Sequence, residues 1–136
     1  MFEINFSGDY DNTLDEKNRV VLPARFRDHL AAGVYVTKGE DHCAAVFPRE
    51  AFVAKAEAMM ATASRGDKRV FLAGSIQQVP DRQGRVIVPE KVRAYAGLRK
   101  DVSVIGLGDH LEIWDRDAWT TYLREQDERF ANREER

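Results

Sequence analysis

Two arginines each stand four positions after an aspartate, in DEKNRVVLPARFR (Asp15 to Arg27) and again in DRQGRVIVPEKVR (Asp81 to Arg93). A carboxylate and a guanidinium at this spacing, across turn-forming residues, can do one of two things. They can close a local salt bridge, worth little at an exposed surface. Alternatively, Arg19 and Arg85 can project from the tips of rigid turns, where the planar fork of donors suits phosphate or guanine. Spacing alone favours the salt bridge. The duplication of the motif shifts the balance toward binding. So does the run from Lys17 to Arg27, which holds Lys17, Arg19, Arg25 and Arg27 and no acid.

Other chemistries find little footing. Asp15 and Asp81 are paired carboxylates, but capping of their own turns accounts for them without acid–base work. His29, His42 and His110 lack the C-x-x-C or His-x-x-x-His company of a metal site. No phosphate-cradling glycine loop or nucleophile elbow occurs, and the single Cys43 reads as a small buried residue on a strand. The chain is therefore expected to be no enzyme, with no metal and no cofactor.

The elements that must position the arginines follow from the same repeat. Matched residues lie 66 positions apart: Gly8/Gly74, Asp15/Asp81, Arg19/Arg85, Val20/Val86, Pro23/Pro89 and Arg27/Arg93. Later matches drift to offsets of 68 at Val36, Asp41 and His42, and of 67 from Phe47 to Phe52. Slippage of that kind belongs in surface loops. Gly8 to Leu14 reads as a strand, and Val20-Val21-Leu22 as its hairpin partner across Asp15-Glu16-Lys17-Asn18. Gly84 stands where Asn18 stands, and these two residue types best accept a positive φ. Prolines 23 and 89 then start short helices, ARFRDHL and EKVRAYA. Strands follow at Gly33 to Lys38 and Cys43 to Phe47, with Asp101 to Leu107 and Leu111 to Trp114 in the second copy. Each copy closes with a helix, one opened by Pro48 and one capped by Asp115. A further helical stretch near Lys68 to Ala73 leads into the second copy. The unit is strand, strand, short helix, strand, strand, helix, and it occurs twice.

At 136 residues the chain fits one domain. A half of roughly 65 residues buries only a modest core alone, so two packed repeats within residues 1–136 are expected, at 5–60 and 74–125. No apolar run reaches membrane-spanning length, and the N-terminus lacks the pattern of a signal peptide. With one cysteine and no disulfide, a cytoplasmic setting is expected. The net charge of −2 argues against generic nucleic-acid binding, so local charge carries the case.

At these residues the sequence resembles the MraZ family of bacterial transcriptional regulators. The marks are DEKNRVVLP and DRQGRVIVP, each matching the family's doubled D-x-x-x-R signature, with VIGLGDHLEIW and FSGDYDNTLD in support. The resemblance implies an α+β fold of two tandem β-hairpin/helix repeats, interleaved in a double swapped-hairpin barrel like that of AbrB proteins, with flanking helices. It implies a DNA-binding regulator, mostly a repressor, of short direct repeats upstream of the division and cell-wall gene cluster, its own promoter included. The partners implied are double-stranded DNA and the chain itself, in a ring-shaped homo-oligomer, octamer-sized, in the cytoplasm and on the nucleoid. Carried onto this chain, the DNA-contacting positions are Asp15, Lys17 and Arg19, with Asp81 and Arg85. Arg25 and Arg27 join them from the basic run.

Two departures from the family pattern bear on the site. Asn18 replaces the glycine usual in the first turn. Pro80 precedes Asp81, where Leu14 stands in the first copy, and a proline there is expected to alter the base of the second hairpin. The second turn, Arg82-Gln83, also lacks the lysine of the first, so the first copy is expected to dominate DNA contact. A competing reading is a protein-interaction module, as in antitoxin-like proteins of the same hairpin fold, acting through the tail Arg124 to Arg136.

Overall fold

The computed structural model describes residues 4–133. The first repeat contributes strands β1 (Asp9–Thr13) and β2 (Arg19–Val21), then a 3-10 turn (Ala24–Phe26) that runs into α1 (Arg27–Leu30). It continues with β3 (Val34–Lys38), β4 (Ala44–Pro48) and α2 (Arg49–Thr62). A link of α3 (Arg65–Lys68) and a π turn (Arg69–Ala73) precedes β5 (Ile76–Gln78) and β6 (Arg85–Ile87). Then come α4 (Glu90–Ala96), β7 (Asp101–Gly106), β8 (Leu111–Asp115) and α5 (Arg116–Ala131). The unit read from the sequence is thus present twice, in a mixed α+β fold. Pro48 is the last residue of β4 and stands extended at the N-cap position of α2, with no capping side-chain bond. Asp115 caps α5 by accepting the Ala118 amide at 3.1 Å, as its side chain suits it to do.

Strand pairing departs from the local hairpin expected at each arginine turn. β1 does not pair with β2; it lies antiparallel on β7, from Asp9 opposite Ile105 to Thr13 opposite Asp101. β5 lies on β3 in the same exchanged manner. β2 and β6 form a separate ladder, with Arg19 opposite Ile87, Val20 opposite Val86 and Val21 opposite Arg85. A local hairpin would leave the backbone edge of β7 bare, whereas exchange gives all five residues of β1 a partner. Among the described residues, only β3–β4 and β7–β8 are hairpins within one repeat.

The six-stranded sheet runs β1-β7-β8-β4-β3-β5 and is open, with β1 and β5 at its edges. Among the described residues no barrel closes by backbone pairing. The two gaps are bridged instead by side-chain amides. Asn12 of β1 donates its Nδ2 to the Val21 carbonyl at 2.6 Å, and Gln78 of β5 donates its Nε2 to the Ile87 carbonyl at 2.6 Å. Pro80 contributes to the shortness of β5, because it has no N–H to extend the pairing. At the matching position the Leu14 amide bonds the Lys100 carbonyl at 2.8 Å.

Alternation along the strands builds the layers. Val34, Val36, Ala44, Val46, Val102, Val104, Leu111 and Ile113 face the ladder and meet Val20, Leu22, Val86 and Val88 in one core, with Phe26, Leu30 and Val92 from the short helices. The opposite sheet face carries Ala45 and Phe47 against Phe52 and Phe71, and separately Ile105 and Trp114 against Trp119 and Tyr122. Phe52, Phe71, Trp119 and Tyr122 are thus packing residues, whereas Phe130 near the end of α5 is exposed. Both repeats share the first core, so neither closes it alone.

Leu22 is fully buried between ladder and sheet. Leu22→Ala is expected to cost about 2–5 kcal/mol, the range for truncating a core leucine. Urea unfolding followed by circular dichroism reads it, and a loss under about 1 kcal/mol would mean that the ladder does not pack as described.

Candidate nucleic-acid interface

Each arginine turn is organised by its aspartate. Asp15 Oδ1 accepts the amides of Lys17 and Arg19, both at 2.9 Å, and Oδ2 accepts Arg19 Nε at 2.8 Å. The second turn repeats this arrangement: Asp81 Oδ1 takes the Gln83 and Arg85 amides at 2.9 Å, and Oδ2 takes Arg85 Nε at 2.8 Å. Backbone bonds close both loops, from the Asp15 amide to Arg19 and from the Asp81 amide to Arg85. Asn18 and Gly84 hold φ of 60° and 78°, the left-handed conformation that their types favour. Pro80 therefore leaves the second turn itself unaltered, and the change expected at the base of that hairpin falls on the strand before it, where β5 is shorter than β1. The turn is set by Asp81, one residue further on.

The aspartate does two jobs with one carboxylate. It caps the turn, and it fixes the guanidinium through Nε. Among the described residues, neither Nη of Arg19 or Arg85 donates a hydrogen bond. The salt bridge and the outward brace, alternatives on the sequence, are one arrangement here. The two arginine side chains have the same exposure, 26%. The backbone amide of Arg19 is the main cause holding the Asp15 carboxyl below the usual carboxylate range, and the Arg85 amide does the same for Asp81. Both acids stay ionised beside their partners, and neither is poised to move a proton.

The ladder brings the two turns together. The Leu22 amide bonds Gly84 and the Val88 amide bonds Asn18, each at 2.9 Å, so each turn is stitched to the strand of the other repeat. Val20 and Val86 point inward; Arg19, Val21, Arg85 and Ile87 point outward. Arg19 and Arg85 are offset by two residues along the ladder, roughly 7 Å at strand rise. They therefore lie on one narrow face, well inside the ~12 Å width of a major groove.

The remaining candidates scatter around this face. Lys17 is exposed within the first turn. Arg27 lies over the second turn, where a Cβ added to Gly84 would clash with its Nε. Arg25 turns toward β1, donating Nη1 to the Tyr10 hydroxyl at 3.2 Å, and is the candidate least tied to the arginine face. Sequence reasoning passed over Arg82 as a contact, although it is exposed at the tip of the second turn. It also missed Asn12 and Gln78, the amides that tie the ladder to the sheet. Their 66-position spacing was a usable signal, since both are carboxamides at matched positions.

Outside this face little suggests chemistry. Cys43 is buried, and burial first, with the Glu112 carboxylate second, pushes its thiol well above the ordinary range, so it remains protonated. No helix among the described residues is long and apolar enough to cross a membrane. The C-terminal segment continues α5 to Ala131, and residues 134–136 of that tail lie outside the described residues.

Comparison with known proteins agrees with the duplication. The family model described as "MraZ protein, putative antitoxin-like" matches residues 5–70 and again 71–136. A "Transcriptional regulator MraZ" of Leifsonia xyli subsp. xyli is 47% identical over 135 residues, covering 96% of this chain and 94% of its own length. Proteins of the same description from Salinispora tropica and Thermobifida fusca are 46% and 47% identical, covering 96% and 93% of this chain and 95% and 92% of theirs.

The depressed acids give a pH signature. A carboxyl held below its unfolded value contributes stability that is complete above that value and is lost as pH falls through the folded one. Thermal melts are therefore expected to drop as pH is lowered beneath about 4. The Asp15→Asn/Asp81→Asn protein should be less stable at neutral pH and show a shallower acid slope. An unchanged slope in that variant would remove the two carboxylates from the account of acid sensitivity.

Proposed function

The chain belongs to the MraZ family, and from that premise we propose that it is a sequence-specific DNA-binding transcriptional regulator. The supporting observation is the pair of braced guanidiniums on one ladder face. Asp15 and Asp81 hold Nε, which leaves the Nη edges for a phosphate or for guanine O6 and N7. A two-stranded ribbon is one of the shapes that a major groove admits. Arg19 and Arg85 are the primary contacts. Lys17 and Arg27 supply neighbouring positive charge, and Asp15 and Asp81 position the arginines. Arg25 contributes at the margin of the face. The shared geometry of the two turns supports a contact from both repeats, while Lys17, which the second turn lacks, favours a larger share for the first copy.

The finer reading is that the protein binds short direct repeats upstream of the division and cell-wall gene cluster, its own promoter included, and mostly represses. It works in the cytoplasm, on the nucleoid, as a ring-shaped homo-oligomer of about octamer size. Such an assembly answers the net charge of −2. Several arginine faces along one duplex raise affinity without new contacts per chain. Direct repeats in DNA suit rotationally related subunits better than a two-fold dimer.

Fluorescence anisotropy with a duplex from upstream of the coding gene tests the site. Arg19→Ala and Arg85→Ala are each expected to weaken binding by about 1–3 kcal/mol, roughly five- to 150-fold, with oligomer size and circular dichroism unchanged. The parent's affinity should also fall steeply with salt. Parental affinity in the doubly substituted protein would refute the assignment.

A further inference from the structure

The outward face of the β2–β6 ladder holds four side chains, and two of them are not polar. Val21 is 37% exposed and Ile87 is 50% exposed. The register sets Ile87 directly across from Arg19, and Val21 directly across from Arg85. Each guanidinium thus stands beside a branched aliphatic side chain from the other repeat, with Cβ atoms about 5 Å apart. Single exposed aliphatics are ordinary on protein surfaces. These two differ in standing each opposite an arginine, on the other diagonal of the same face, with their backbones held by side-chain amides.

These are the amides that bridge ladder and sheet. Asn12 Nδ2 bonds the Val21 carbonyl at 2.6 Å. Gln78 grips Ile87 twice, donating Nε2 to its carbonyl at 2.6 Å and accepting its amide at Oε1 at 2.9 Å. The ladder edge is thereby fixed at the residues whose side chains face outward and apolar. A threonine would serve the strand equally well and would be better solvated. Valine and isoleucine offer only methyl groups.

We infer that Val21 and Ile87 are specificity-determining contacts that seat against thymine C5-methyl groups in the major groove, beside the base pairs approached by Arg85 and Arg19. This rests on the DNA-binding reading above. The thymine methyl is the one apolar feature that a base presents in that groove, and aliphatic side chains recognise it. Charge selects the occupant. Each guanidinium is balanced by its own aspartate. Lys17, Arg27 and Arg82, however, add positive charge around the face, an excess that suits a polyanion and that a docked second copy would double. Each Arg–aliphatic pair would read a G·C pair next to an A·T pair.

The test starts from duplexes that the parent protein selects from a randomised library. Thymines in a selected duplex are replaced one at a time by deoxyuridine, which removes the methyl alone. Loss of a contacted methyl is expected to weaken binding about fourfold, the worth of one buried carbon. Val21→Ala and Ile87→Ala should weaken binding to the thymine duplex similarly. Each should also abolish the uracil penalty at its own thymine while leaving it at the other. Val21→Thr keeps one methyl and the strand preference, and should fall between. Uracil penalties that persist unchanged in both alanine proteins would overturn the inference while Arg19→Ala still loses DNA. So would oligomers that fall apart on Val21→Ala or Ile87→Ala, which would assign the face to a second copy. If no duplex is enriched, the DNA-binding reading itself fails, and this inference with it.

Discussion

One carboxylate oxygen taking two backbone amides, while its twin takes an arginine Nε, is the interaction on which the site depends. It costs the chain no long-range contact, because all the partners lie within four residues. It folds the turn and aims the guanidinium in the same act. An arginine alone on a loop would lose much side-chain entropy on binding. Here the aspartate has already removed part of that freedom, and a preorganised group loses less when it meets its ligand. The same geometry in both copies makes it a repeated device rather than an accident of one loop.

The second constraint is exchange. Each turn belongs to one repeat by sequence, but it is stitched to the strand that leads out of the other. β2 and β6 are only three residues long, and an isolated short ladder is marginal in water. Three things rescue it: Val20 and Val86 beneath it, Leu22 and Val88 beyond it, and the amides of Asn12 and Gln78 at its two edges. Spacing between the two arginines is consequently a property of the whole core. A change far from the surface that shifts the ladder would shift both guanidiniums together.

Much of this was legible in the sequence because the repeat carried its own check. Asn18 against Gly84 pointed to a positive φ at both positions, and both adopt it. Pro23 and Pro89 located the short helices, and Asp115 located the start of α5. Partner choice was not legible. Alternation tells which face of a strand is apolar, but β1 reads equally well beside β2 or β7. Long-range exchange is decided by which arrangement satisfies the most backbone groups, and a local pattern does not encode that. Pro80 was legible only in part. Its missing N–H matters to β5, whereas the turn beyond it depends on the carboxylate of Asp81.

Chemistry was legible as residue type and less so as arrangement. Salt bridge and outward donor stood as rivals on spacing, and three dimensions made them one object. Arg27 was grouped with the first turn by proximity in sequence, yet it lies over the second. The most direct measurement is a crystal structure of the protein bound to a duplex that it selects. Nη atoms of Arg19 and Arg85 from a single chain are expected to touch the same duplex, with both Nε–carboxylate bonds intact. A duplex seated against α2 or α5, or arginines released from Asp15 and Asp81, would contradict the braced-arginine interface.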